Sequence, residues 1–175
     1  MKTALLYKTV ITLLLVPALI FASNGKWSGK YTKEKKLHKE YEVSSSATVY
    51  IDNSYGDIDI VTWNENRVVI DIIITTNGNN EDSVIKKLDG IDVLFDNSTN
   101  KVSAKTKFNN NKSWWNWGNN NVNMKINYVI KMPMSNNVDL SNDYGTINLD
   151  KLEGRATIDC DYGKITTKEF INLWF

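Results

Sequence analysis

The chain has 175 residues, 42% of them apolar and 23% charged, with a formal net charge of +1. That length suits one domain, or one and part of a second, with enough apolar residues for a core. The near balance of charge excludes a general attraction to nucleic acid, and one histidine with one cysteine excludes an internal disulfide and a zinc site of ordinary composition.

Residues 1–22 have the layout of a secretory signal peptide. Lys2 and Lys8 precede the apolar run Val10 to Phe21, and the small residues Ala22 and Ser23 follow. The run is short for a membrane span, so cleavage near Ala22 is expected, with an uncleaved anchor as the alternative. No cysteine stands at its end to carry a lipid. Membrane contact is therefore expected only through this segment, and the destination is the periplasm, the outer membrane surface or the medium. Loss of Lys2 and Lys8 takes the net charge from +1 to about −1.

Residues 23–40 are rich in lysine, at positions 26, 30, 33, 35, 36 and 39, and read as a solvated basic linker. Such a linker could touch anionic lipid or polysaccharide. The only histidine, His38, falls in it, so no Ser-His-Asp triad or Cys-His pair is expected in the core.

Residues 41–175 read as a single β domain. Val49, Ile51, Ile58 and Ile60 alternate as in strands, and Arg67 to Thr76 is rich enough in Val and Ile to be covered on both faces. Asn80, Glu81, Asp82, Val84, Ile85, Leu88 and Gly90 supply a cap, an acidic first turn, helical apolar spacing and a terminal glycine. They predict one short helix. Ile91-Val93-Phe95 and Val102-Ala104-Thr106-Phe108 follow as strands, and Val122 to Met132 alternates strictly until Pro133. Residues 41–134 are accordingly expected to be mainly antiparallel, with 102–108 and 122–132 as partners.

That pairing makes residues 109–121 a long hairpin loop holding Trp114, Trp115 and Trp117 among asparagines. Indole rings stack on the apolar faces of sugars and amides bond hydroxyls, so the three tryptophans are a candidate glycan-binding platform. The competing expectation is that they fold back as a cap over the sheet; a disordered loop is the third.

The last stretch repeats at a step of eighteen. Val138-Asp139-Leu140-Ser141-Asn142-Asp143-Tyr144-Gly145-Thr146-Ile147 is followed by Ala156-Thr157-Ile158-Asp159-Cys160-Asp161-Tyr162-Gly163-Lys164-Ile165, with Leu152 in step with Phe170. An upstream copy runs through Val49, Ile51, Tyr55, Gly56, Ile58 and Ile60. Apolar alternation on both sides of each Tyr-Gly step predicts two short strands per copy, joined at a corner where glycine permits positive φ or a bulge. Eighteen residues at about 3.3 Å each make a circuit of roughly 60 Å. Residues 135–175 are thus expected to form β-solenoid rungs stacked on the antiparallel unit, Leu140 over Ile158 and Ile147 over Ile165. Two hairpins sharing a turn are the simpler alternative. Cys160, level with Asn142, is expected at an inward ladder position or in a tight corner, as a buried thiol.

Chemistry is sparse. Asp139, Asp143 and Asp150 lack the spacing of a calcium loop, and corner aspartates commonly form turns. The carboxylate pairs Asp57/Asp59 and Asp159/Asp161 fall opposite the apolar positions, where acids are solvated. No catalytic residue, metal or cofactor is expected.

The signal peptide, His38-Lys39-Glu40, Ile51 to Ile58, Leu88 to Val93, Val102 to Thr106, Ser113-Trp114-Trp115 and the paired Asp-Tyr-Gly rungs together resemble the putative adhesin family of Gram-negative envelope proteins. The resemblance covers nearly the whole chain after its leader, and the order of the short motifs carries it. It implies a head of stacked β rungs with no established catalytic residues, acting as an exported adhesive or structural surface module whose partner is a glycan or a surface protein. A periplasmic carbohydrate-binding or sensing module using the tryptophans is the second expectation, and a glycan-cleaving β-helix using surface aspartates a third. Members of that family usually continue through further rungs, so Ile171 to Phe175 is expected either to fold over the last rung or to mark a C-terminally shortened chain.

Overall fold

The computed structural model describes residues 27–109 and 122–168. They form eleven strands and one helix: β1 (Tyr31–Glu42), β2 (Thr48–Ser54), β3 (Ile58–Trp63), β4 (Arg67–Gly78), α1 (Glu81–Asp89), β5 (Ile91–Ser98), β6 (Lys101–Phe108), β7 (Asn123–Pro133), β8 (Asn137–Asp143), β9 (Thr146–Leu149), β10 (Ala156–Asp161) and β11 (Lys164–Thr167). The expected signal peptide, the three tryptophans Trp114, Trp115 and Trp117, and Phe170 to Phe175 lie outside the described residues.

Two mixed sheets share these strands. One has the order β1-β4-β7-β3-β9-β11, the other β10-β8-β2-β6-β5. Alternate residues of both turn inward and meet in one core, with Ile51, Val102 and Leu140 from the second sheet against Ile58, Ile70, Ile74, Tyr128, Ile130 and Ile147 from the first. Period-two alternation explains why: each strand has one apolar face, and the two faces bury each other.

The register expected from the eighteen-residue step is the register found. Parallel pairing sets Ile158 beside Leu140, Ile165 beside Ile147, Ile51 beside Leu140 and Ile58 beside Ile147. The helix also forms as predicted: Asn80 Oδ1 accepts from the N–H of Ser83 at 2.9 Å, and Gly90 closes the last turn.

Three expectations are amended. First, the antiparallel pairing expected of residues 41–134 holds for β4 with β7 and β5 with β6, but β2 pairs in parallel with β6, and β3 in parallel with β7. The upstream copy, β2 and β3, therefore sits inside both sheets, and the later copies stack on it, β8 and β10 beyond β2 and β9 and β11 beyond β3. Alternation fixes which face is buried; it does not choose the neighbouring strand.

Second, β6 pairs with β5 and β2, whereas β7 pairs with β4 and β3. The strands flanking residues 109–121 belong to different sheets, so that segment does not connect a hairpin. Third, much of the predicted linker is strand β1, antiparallel to β4 from Tyr31↔Gly78 to Glu42↔Arg67. Its half-buried positions include Tyr31, Lys33, Lys35, Leu37 and Tyr41. Lysine stems can cover apolar surface while their ammonium groups stay in water, and charged residues suit an edge that must not recruit another strand.

Candidate contact site at the stacked corners

The chain crosses between sheets three times at a Tyr-Gly step: Tyr55-Gly56 joins β2 to β3, Tyr144-Gly145 joins β8 to β9, and Tyr162-Gly163 joins β10 to β11. The tyrosines, and not the glycines, adopt positive φ, at 64°, 58° and 53°. A left-handed non-glycine residue costs about 1–2 kcal/mol. Part of that cost is offset by the rings. Tyr55 and Tyr144 stack with centroids 5.3 Å apart and planes 7° from parallel, Tyr144 and Tyr162 at 5.1 Å and 6°, and Phe108 meets Tyr55 edge-on at 6.0 Å. Aromatic pairs of this kind add about 0.5–1.5 kcal/mol each beyond their buried area.

The glycines answer a different demand. A Cβ on Gly145 would lie 1.8 Å from the carbonyl oxygen of Gly56, and one on Gly163 would lie 1.9 Å from that of Gly145. On Gly56 it would meet the carbonyl oxygen of Ile126 at 2.0 Å. Gly145 and Gly163 are thus flat tiles against the backbone of the preceding copy, and Gly56 is one against β7. The expected role of glycine at positive φ is corrected to one of close approach.

Behind the corners runs a polar column that the sequence reading passed over. Asn53 and Asn142 are buried at the inward parity of β2 and β8. Asn53 Nδ2 donates to the carbonyl of Ile126 at 3.0 Å and to Asn142 Oδ1 at 3.2 Å, while its Oδ1 accepts from Thr106 Oγ1 at 3.0 Å. Asn142 Nδ2 donates to the carbonyl of Gly56 at 2.9 Å. Cys160, in register with Asn142, repeats the motif more weakly, its Sγ donating to the carbonyl of Gly145 at 3.6 Å. Cys160 occupies the inward ladder position expected for it, but it is half-buried and not the buried thiol that was expected. Burial pushes its thiol pKa up, and the carboxylates of Asp161, Asp159 and Asp143 push it further, so the thiolate is disfavoured. The signal for the asparagines was available: each stands two residues beyond an inward apolar residue, Ile51 and Leu140.

The carboxylates are dispersed into structural roles or left in solvent. Asp57 accepts from the N–H of Thr146 at 3.0 Å and pairs with Lys125 Nζ at 2.8 Å. Burial pulls its pKa up, but the hydrogen bonds from Lys125 and Thr146 and the lysine charge outweigh that and hold it below the ordinary value. Asp59 Oδ1 accepts from Asn148 Nδ2 at 2.7 Å. Asp159 and Asp161 are exposed on the outer face of β10. Among the described residues no His, Cys, Asp and Glu side chains converge in a group of three or more around a point where a metal ion could sit.

Six residues singled out from the sequence, Tyr55, Gly56, Tyr144, Gly145, Tyr162 and Gly163, are therefore brought together in one column. Its rings are exposed, Tyr55 by 41%, Tyr144 by 53% and Tyr162 by 82%. Because each inner ring spends its faces on its neighbours, the column offers solvent a ridge of ring edges and hydroxyls, and among the described residues only Tyr144 stacks on Tyr162.

No protein-family description matches the chain, and no curated relative matches it. Among solved structures it is similar to a "putative cell adhesion protein" of Clostridium sporogenes, with TM-score 0.40 and 16% identity over 75% of this chain and 59% of that one. It is also similar to a "putative adhesin" of Bacteroides fragilis, with TM-score 0.32 and 15% identity over 78% and 56%. A "putative lipid binding protein" of Parabacteroides distasonis gives TM-score 0.34 and 12% identity over 81% and 54%. The chain spans somewhat more than half the length of each.

Proposed function

We propose that the chain is an exported, non-enzymatic surface module of the cell envelope, adhesive or structural, whose two sheets are successive β-solenoid rungs turned at the Tyr-Gly corners. The observation that carries this reading is the tyrosine column: three rings held in line by a rigid backbone, edges outward. Tyrosine suits contact surfaces because it brings a large amphipathic area at small conformational cost. The outer face beside the column carries Asp139, Asp143, Asp159 and Asp161 on alternating positions of β8 and β10. That is a solvated wall for touching a surface, and no buried acid and base face each other there. Envelope location rests on the leader-like residues 1–22.

The test is retention of beads coated with the protein on glycan-coated and protein-coated surfaces. Tyr162→Ser, at the most exposed ring, is expected to weaken retention severalfold with the fold intact by circular dichroism. Unchanged retention overturns the role of the column. A platform at Trp114, Trp115 and Trp117 is a separate proposal for the same module, with a glycan as partner. On a glycan array, equal binding by the triple alanine variant, or no binding by the parent chain, ends it.

A further inference from the structure

Tyrosine is not what the corners ask of the backbone. A left-handed position is filled most cheaply by glycine or asparagine, yet Tyr55, Tyr144 and Tyr162 hold it at 64°, 58° and 53°. Bulky residues kept in a disfavoured conformation are kept for their side chains. Tyr144 shows which part of the ring is on offer. Both its faces are covered, by Tyr55 and by Tyr162, and it is still 53% exposed, so its outer edge and hydroxyl are what solvent meets. Tyr55, between Tyr144 and the edge-on Phe108, keeps 41% in the same way.

We propose that this ridge binds an uncharged glycan of β-1,4-linked pyranose rings, laid straight along the column with one sugar beside each tyrosine. The inference rests on the adhesive reading above and names the chemical class of partner for the same column.

Pitch selects the ligand. Ring centroids repeat at 5.3 and 5.1 Å with planes 7° and 6° from parallel, so the edges form a straight row of nearly equal steps. A β-1,4-linked pyranose chain is a straight ribbon whose advance per sugar is close to that step, with equatorial hydroxyls pointing sideways at every ring. An extended peptide advances by about 3.3 Å per residue, and its same-side side chains by about 6.6 Å. Stacked nucleotides advance by about 3.4 Å. Neither stays in step with the rings, and α-1,4- or β-1,3-linked glucans coil away from a straight row.

Charge narrows the class. Ser54, Asp143 and Asp161 each stand just before a corner tyrosine, lie abreast across β2, β8 and β10, and face outward. Ser54 Oγ donates to Asp143 Oδ2 at 3.2 Å, which leaves carboxylate lone pairs for sugar hydroxyls. Such hydrogen bonds to a charged acceptor are the strong kind. Asp139 and Asp159 extend the same negative wall, which repels phosphate, sulfate and uronate. Neutral hydroxyls find acceptors there, and the tyrosine hydroxyls donate or accept beside them.

The experiment is an NMR titration of the 175-residue chain with cellohexaose and chitohexaose, with maltohexaose, laminarihexaose and hexagalacturonate as controls. The proteins are the parent, Tyr144→Phe, the double variant Tyr55→Phe/Tyr144→Phe, and Trp114→Ala/Trp115→Ala/Trp117→Ala. Both β-1,4-linked neutral chains are expected to shift the Tyr55 and Tyr144 ring signals and to bind at least about tenfold more tightly than the controls, which keep step with one ring only. Phenylalanine keeps the ring and its stack and removes one hydroxyl. Tyr144→Phe should therefore weaken binding about threefold to tenfold, and the double variant by about the product of two such losses.

No binding of either β-1,4-linked chain, equal binding of a control, or unchanged affinity in the double variant would overturn the proposal. So would binding lost in the tryptophan variant and kept in the double phenylalanine variant, which would assign the glycan to the tryptophans. Failure here is distinct from failure of the adhesive reading. Bead retention that depends on Tyr162 without any glycan binding removes the glycan and leaves adhesion; glycan binding that needs the tyrosine hydroxyls, with retention indifferent to Tyr162→Ser, does the reverse.

Discussion

Gly145→Ala is the sharpest test of the corner geometry. The φ at this glycine is not positive, so alanine meets no intrinsic backbone penalty, and only the neighbouring copy resists it. Its Cβ would lie 1.8 Å from Gly56 O, 2.6 Å from Gly56 C and 2.9 Å from Asn142 Nδ2. Relief to even 3.0 Å from that oxygen requires the copies to part by about 1.2 Å, which takes a 2.9 Å bond beyond useful range. The Asn142 amide then loses its acceptor in a buried place, at about 1–3 kcal/mol, and adjoining backbone bonds contribute about 1 kcal/mol each. The sum, roughly 3–6 kcal/mol, is a large part of the 5–15 kcal/mol typical of a domain. Gly163→Ala meets a similar obstacle at 1.9 Å, yet among the described residues its copy lies at the edge of both sheets and can lift away alone, so about 1–2 kcal/mol is expected. Urea unfolding of both variants and the parent gives the comparison. Equal losses at the two sites, or a Gly145→Ala loss under about 1 kcal/mol, would refute the close-approach argument.

Cys160→Asn should extend the amide column, with Nδ2 in place of Sγ toward the carbonyl of Gly145, and raise stability by about 0.5–1.5 kcal/mol by the same urea assay; a loss would mean that the edge copy cannot hold an amide. Tyr128→Phe removes a hydroxyl 2.7 Å from Thr106 Oγ1, in a site where burial pushes the phenol pKa far up; about 1 kcal/mol is expected to be lost, with no alkaline transition of that residue in the parent below the unfolding pH. Asp57, Asp92 and Asp150 all have pKa values held below the ordinary carboxylate value in the folded state. Such groups add stability above the unfolded pKa near 4 and lose it as pH falls through their folded values, so acid should destabilise the fold below about pH 4. Asp57→Asn should lower stability at neutral pH and flatten that acid limb, and an unchanged limb in acid titration followed by circular dichroism would remove Asp57 from the account.

Much of this was legible because repetition carries register. Leu140 with Ile158 and Ile147 with Ile165 could be paired from the sequence, since an in-register parallel stack keeps like residues side by side. The helix was legible from Asn80 and Gly90, which are local signals. Strand β1 was hidden because its half-buried face is partly built from lysine stems, whose composition reads as linker. Partner choice for β6 and β7 was hidden because alternation is blind to which strand lies alongside. The role of Gly145 was misplaced for a related reason: a Tyr-Gly pair suggests by habit a glycine at positive φ, whereas the need for a missing Cβ arises from a carbonyl 89 residues away at Gly56. Buried Asn53 and Asn142 were overlooked because polarity outweighed parity in the reading.

The central place of β2 and β3 has a consequence in time. Thr48 finds its neighbours Lys101 and Asn137 only after long intervening stretches have been made, so the middle strands of both sheets emerge early and wait. Folding dominated by such distant pairings is slow, on the order of milliseconds to seconds. During the wait Val49-Tyr50-Ile51 is a sticky β segment with the carboxylate of Asp52 next to it. A charge there discourages premature self-association, as gatekeeping residues do beside unavoidable hydrophobic strands. The same side chain that later pairs with Lys105 of the neighbouring strand would first act as a guard on the nascent chain.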